Sequence, residues 1–153
     1  VKTLSQRCGQ STARPDWDVV EVWANVQRTG GTNAAHSHPG SFWAGVYYVD
    51  VGEVSSTKEM GGELQIYDPR GCLPRMLAPY LQYSMSELHD AGTSISYTPV
   101  SGQCVLFPGW LFHAVNTYHG IAPRISVAFN LDPVLAPGMM NGAPKHSVSE
   151  YRR

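Results

Sequence analysis

Every extended run in this chain is stopped within a strand's length by a glycine or proline signal. The stops are Gly30-Gly31, Pro39-Gly40, Gly52, Asp68-Pro69, Ser101-Gly102, Pro108-Gly109 and Pro123. These residues break helical and extended periodicities alike, so the segments between them are short. With 15 glycines and 11 prolines in 153 residues, turns rather than long helices are the rule. The runs between the stops are 19–27, 32–38, 42–50, 62–67, 94–100, 103–107, 111–116 and 124–131, rich in β-branched and aromatic residues and often alternating. About eight short strands with almost no helix predict an all-β sandwich or barrel, and eight strands suit a jelly roll.

The length is most simply a single domain, 1–153, able to bury a real core. That core is expected over 19–131, after a polar lead-in at 1–18 and before an irregular tail at 132–153. Two excursions interrupt it. Residues 52–62 form a polar loop, and 70–92 form a long, partly ordered segment broken by Gly71, Pro74 and Pro79, with a helical turn near Ser86 to Leu88. A loop that long in a compact domain often serves function. Met76, Tyr80, Tyr83 and Arg70 or Arg75 are therefore expected at the mouth of any site.

A net charge of −1 without a basic block gives no reason to expect a nucleic acid or a membrane surface as partner. No apolar run approaches the roughly 20 residues needed to span a bilayer. The start, Val1 to Arg7, is polar and does not read as a signal peptide. Cys8, Cys72 and Cys104 are odd in number and not closely paired, which fits free thiols in a reducing cytoplasm, with Cys104 buried in a strand.

The chemistry begins at Asn33-Ala34-Ala35-His36-Ser37-His38-Pro39. On a strand, residues i and i+2 share a face, so His36 and His38 aim at one point. Neutral imidazole is the commonest metal ligand. His113 lies in another apolar run just past the Pro108-Gly109 turn, where an unpaired imidazole is costly to bury. These three histidines are the expected metal ligands. His89, His119 and His146 sit in polar contexts and read as solvated. On the last strand Arg124, Ser126, Ala128 and Asn130 share one face, opposite Ile125, Val127, Phe129 and Leu131, which is expected to pack on apolar neighbours. An inward guanidinium needs an anion and pairs best with a carboxylate, to which Ser126 can add a hydroxyl. That carboxylate is either an internal Asp or Glu, or a cosubstrate held beside the metal.

Five motifs in order carry a resemblance: Asn33 to Pro39, Ala44 to Tyr48, Gly62 to Pro69, Leu106 to His113 and Arg124 to Asn130. Across 20–131 the chain resembles a family of Fe(II)- and 2-oxoglutarate-dependent oxygenases. The resemblance implies a double-stranded β-helix, iron at His36 and His113, and the far carboxylate of 2-oxoglutarate on Arg124 and Ser126, with Tyr48 and Asn33 assisting. It implies oxidative decarboxylation of 2-oxoglutarate coupled to oxidation of a small-molecule or protein side-chain substrate that the sequence does not identify. The family pattern has a carboxylate where this chain has His38. Either His38 is the third ligand, or Glu63, Asp50 or water completes the set. A three-histidine site is equally at home in cupin-type dioxygenases and small-ligand binders that use no 2-oxoglutarate, which is the alternative reading. A jelly-roll binding module with incidental histidines is a further one, because fold does not fix function.

Overall fold

The computed structural model describes residues 16–55, 59–71 and 94–134. They form eight strands: β1 (Trp17–Gln27), β2 (Asn33–His36), β3 (Trp43–Asp50), β4 (Leu64–Tyr67), β5 (Ser94–Tyr97), β6 (Cys104–Pro108), β7 (His113–Val115) and β8 (Arg124–Pro133). There is no helix among the described residues, and thus none long and apolar enough to cross a membrane. The expected helical turn at 86–88 and the mouth residues Arg75, Met76, Tyr80 and Tyr83 lie outside the described residues. Arg70 is exposed and paired with Asp68 at 2.6 Å.

Two four-stranded antiparallel sheets result, in the orders β1-β8-β3-β6 and β2-β7-β4-β5. The first strand pairs with the last, the second with the seventh, the third with the sixth and the fourth with the fifth. The chain is thus folded once on itself and the doubled ribbon is wound across two sheets, which is the jelly roll the strand count predicts. Ala44, Leu64 and Phe107 form the buried apolar centre, with Val46, Ile66, Tyr97, Val105 and Leu111 packed on it.

The sequence boundaries need three corrections. β1 begins at Trp17, inside the expected lead-in, because its start pairs with the end of β8 at Pro133, inside the expected tail. β2 ends at His36, two residues short of His38. Cys104 is exposed rather than buried, since it opens β6 at the rim of the sheet opposite Tyr47.

The faces of the larger sheet run against simple hydrophobic patterning. Gln27 is buried on β1, whereas Val22 and Val26 are 64% and 58% exposed. Val22, Ala24 and Val26 pair in register with Phe129, Val127 and Ile125. The apolar row of β8 therefore lies on the outer face beside exposed valines and not on the core. The inner face carries polar side chains because it forms one wall of a cavity.

The link from β7 to β8 is anchored by Tyr118, which is fully buried. Its hydroxyl donates to Ala122 O at 2.7 Å and accepts from Glu53 N at 2.8 Å. This tie fixes the chain where it enters β8 at Arg124. Tyr118→Phe leaves both backbone groups without that partner and is expected to cost about 1–3 kcal/mol, read as a lower urea midpoint at unchanged slope.

Candidate metal centre and anion pocket

His36, His38 and His113 converge between the two sheets, with one nitrogen of each lying within 4.8 Å of the others. Register explains the first and last: His36 on β2 faces His113 on β7 as its cross-strand partner. Their rings are 4.3 Å apart between centroids. His36 Nδ1 lies 2.7 Å from Ala34 O, and His113 Nδ1 lies 2.9 Å from Leu111 O. A carbonyl only accepts, so each neutral ring carries its proton on Nδ1 and leaves a lone pair on Nε2. Both rings are thereby set up as metal ligands.

His38 reaches the cluster by another route. Strand parity does not place it, because β2 has already ended. Its backbone is held by the Pro108-Gly109 turn: His38 N donates to Gly109 O at 2.8 Å, and Ser41 N closes back on His38 O at 3.1 Å. A Cβ on Gly109 would stand 2.2 Å from Ser41 O and 3.2 Å from His38 O. Glycine is needed there for close approach. The His38 ring sits 5.1 Å from His36 and 5.2 Å from His113 between centroids. Asp50 and Glu63 are engaged elsewhere. Asp50 Oδ1 accepts from Gly52 N at 2.8 Å, and Glu63 Oε2 accepts from Asn116 Nδ2 at 3.0 Å. Neither belongs to the histidine group.

The other end of the same cavity is cationic. Arg124 is 1% exposed and makes no ion pair with a carboxylate of the described residues. Its Nη1 donates to Gln27 Oε1 at 2.6 Å, and its guanidinium carbon lies 5.2 Å from the Tyr48 ring centroid. Arg124 Nε and Tyr48 Oη are buried without hydrogen-bond partners. Gln27 in turn donates from Nε2 to Asn33 Oδ1 at 3.1 Å, which fixes both amides. Ser126 is buried one step along β8, level with Asn25 on β1 and Tyr48 on β3. His36, His38, His113, Arg124, Ser126, Tyr48 and Asn33 thus line one cavity. His119 is exposed and apart from it.

Gln27 is the member the sequence did not single out. Its partner is 97 positions away, and only the β1–β8 register joins them. An amide ending a valine-rich strand carries no local signal of that role.

Burial shapes the titration of the site. It pushes His113 down to about 4, the neighbouring histidines adding to that and the Leu111 carbonyl opposing it. It lowers His38 as well, with His36 adding and Glu21 opposing. Burial raises Tyr48 to about 12 against the pull of Arg124. The site therefore holds the His38 and His113 imidazoles and the Tyr48 phenol neutral beside a cation at pH 7.

Two outcomes are expected of the metal-free protein. The folded pKa of His113, about 4, lies below the ordinary imidazole value of 6.5. The unfolded chain then takes the proton first as pH falls. Stability present above about pH 6.5 is lost towards pH 4, by at most about 3 kcal/mol, and His113→Gln flattens that loss in urea titrations at the two pH values. Gly109→Ala pushes His38 out of the cluster. It is expected to weaken Co(II) binding about 10- to 100-fold by calorimetry while His36 and His113 stay paired.

A family profile described as "Putative 2OG-Fe(II) oxygenase" matches residues 21–130. Among solved structures, an oxidoreductase of the 2OG-Fe(II) oxygenase family from Burkholderia pseudomallei is similar at 12% identity and a TM-score of 0.55, over 79% of this chain and 47% of that one. A Pseudomonas putida prolyl-4-hydroxylase is similar at 16% identity and a TM-score of 0.50, over 75% of this chain and 51% of that one. The chain spans about half the length of each, and at these identities the likeness is one of fold. No curated protein matches the sequence.

Proposed function

This chain belongs to the 2OG-Fe(II) oxygenase family, and from that premise we propose that it is an Fe(II)- and 2-oxoglutarate-dependent oxygenase in which His36, His38 and His113 hold the metal. Bound together, iron and 2-oxoglutarate would supply the oxidising chemistry with O₂ as the oxidant: one oxygen atom would go to the succinate formed as the keto acid loses CO₂, and the other would oxidise a substrate.

One observation carries the reading. Arg124 is buried with no salt-bridged carboxylate among the described residues, only a through-space attraction to Glu63, in the same cavity as the three histidines. A buried, uncompensated charge costs several kcal/mol, so a cation kept in this state needs an anion during function. No aspartate or glutamate lines the cavity. A dicarboxylate answers both ends, one carboxylate on Arg124 and the keto-acid end towards the histidines.

The chain's own groups divide the work. His36 and His113 present Nε2 lone pairs set by backbone carbonyls, so the metal meets ready acceptors. Arg124 Nε and the remaining guanidinium hydrogens would hold the far carboxylate, with Ser126 and Tyr48 able to offer hydroxyls and Asn33 its amide hydrogens. Gln27 holds Arg124 in place without neutralising it. Phe107 and Val46 line the cavity with apolar surface, which limits water and strengthens the charge interactions.

The test is succinate release from 2-oxoglutarate with Fe(II), ascorbate and O₂, in wild type and Arg124→Gln. Losing a buried charge-assisted contact costs about 2–4 kcal/mol. The expected result is therefore a 30- to 1,000-fold rise in the 2-oxoglutarate KM, roughly, with metal binding kept. Fe(II)-dependent O₂ consumption indifferent to 2-oxoglutarate would favour a cosubstrate-free cupin-type dioxygenase, the reading that three neutral ligands also suit.

A further inference from the structure

His36 and His113 have their tautomers fixed by carbonyls two residues upstream, and His38 does not. The neighbour of its Nδ1 is the side-chain amide of Asn130, with Nδ2 at 3.4 Å. Asn130 is 2% exposed, and the same Nδ2 donates to Glu21 Oε2 at 2.8 Å, while its Oδ1 is buried with no partner. Glu21 and Asn130 are cross-strand partners on β1 and β8, so the pair is built into the larger sheet.

The orientation has a chemical consequence. The carboxylate of Glu21 only accepts, so it draws the NH₂ side of the Asn130 amide towards itself. The second N–H of that group then faces His38 Nδ1, which must accept. A neutral imidazole that accepts at Nδ1 carries its proton on Nε2. This is the opposite tautomer to those of His36 and His113, and it has no lone pair on Nε2 for a metal. For His38 to bind through Nε2, Nδ1 must become the donor, and the Asn130 amide must turn its Oδ1 towards it. Glu21 opposes that turn, and it is free to swing out because it is exposed.

We propose that Asn130, oriented by Glu21, is the positioning residue of His38: it sets the tautomer of that ring and so decides whether His38 serves as the third metal ligand. This rests in part on the oxygenase reading, but the tautomer itself is independent of any metal. The pair lies at the one ligand position where the chain departs from the carboxylate of the family pattern.

The test reads the rings directly. Long-range ¹H–¹⁵N correlation spectra of the metal-free protein at pH 7.5 report which nitrogen of each histidine carries the proton. The expected pattern is Nδ1–H for His36 and His113 and Nε2–H for His38. Asn130→Leu should leave His38 a mixture of tautomers. Glu21→Gln, a surface change that tests the same device if Asn130→Leu does not fold, should shift His38 towards Nδ1–H, because glutamine can donate to a turned Oδ1. Co(II) titration of the same samples should then show affinity raised for both variants, by about 10- to 100-fold for Glu21→Gln and by less for Asn130→Leu, because each releases His38 from the tautomer without a lone pair on Nε2. An Nδ1–H proton on His38 in the wild type, or one tautomer in all three proteins, overturns the proposal. If the wild type binds no Co(II) while the tautomer pattern is as expected, the iron reading fails and the assignment of Asn130 stands.

Discussion

The guanidinium of Arg124 is the group around which this fold is arranged. It sits in the interior beside Tyr48, tied to Gln27, with no carboxylate of the described residues paired to it. Burial alone pushes its affinity for its proton downwards. Keeping it charged there requires polar neighbours on the inner face of the larger sheet, and β8 supplies two of them, Ser126 and Asn130, with the small Ala128 between. The same alternation sends Ile125, Val127 and Phe129 outward, where Val22 and Val26 join them. The exposed valine row is thus the other side of one decision, a polar cavity wall placed where a small domain would ordinarily put its core.

Charge balance connects this cation to the histidines. Three neutral imidazoles leave a divalent ion's charge untouched, and the cavity lining has no acid to offset it. In the proposed centre, metal and Arg124 would together present three positive charges, of which a dianionic ligand spanning the two ends would remove two. The usual two-histidine, one-carboxylate face leaves one charge fewer, so replacing the carboxylate by His38 strengthens the demand for an anionic cosubstrate. In the proposed centre, a metal without that anion would sit beside an unbalanced cation, which would couple the two binding events.

Much of this was legible in the sequence because it is local. Glycine and proline punctuation delimits the strands, the Arg124-x-Ser126 spacing puts both on one face, and the apolar context of His113 marks it as a histidine with a task. What escaped was non-local. Gln27 and Tyr118 act through partners fixed only by strand register and loop crossing, and Glu21 reads as an ordinary exposed carboxylate until β1 is laid against β8. The two histidines one residue apart were read as strand neighbours, and they do meet, but for another reason. β2 stops at His36, and the turn at Gly109 brings His38 in. Patterning misled for Cys104 because a position at a strand's rim is open whatever the residue's preference.

The division of labour between the sheets gives His38 its special place. His36 and His113 belong to the smaller sheet, while Arg124, Ser126, Tyr48 and Gln27 belong to the larger. Packed sheets stand about 10 Å apart, so a ligand held at both walls must span most of that gap. His38 lies past the end of β2, hydrogen-bonded through its backbone to the turn after β6 and through its ring to Asn130 on β8. It is the one histidine of the cluster whose ring is hydrogen-bonded to the larger sheet, whereas His113 meets that sheet through the Phe107 ring, 4.6 Å away between centroids. A change in the separation or register of the sheets would leave the His36–His113 pair intact, since that pair is internal to one sheet, but would alter the His38–Asn130 contact. In the proposed metal centre His38 would therefore be the ligand whose geometry depends on the anion wall.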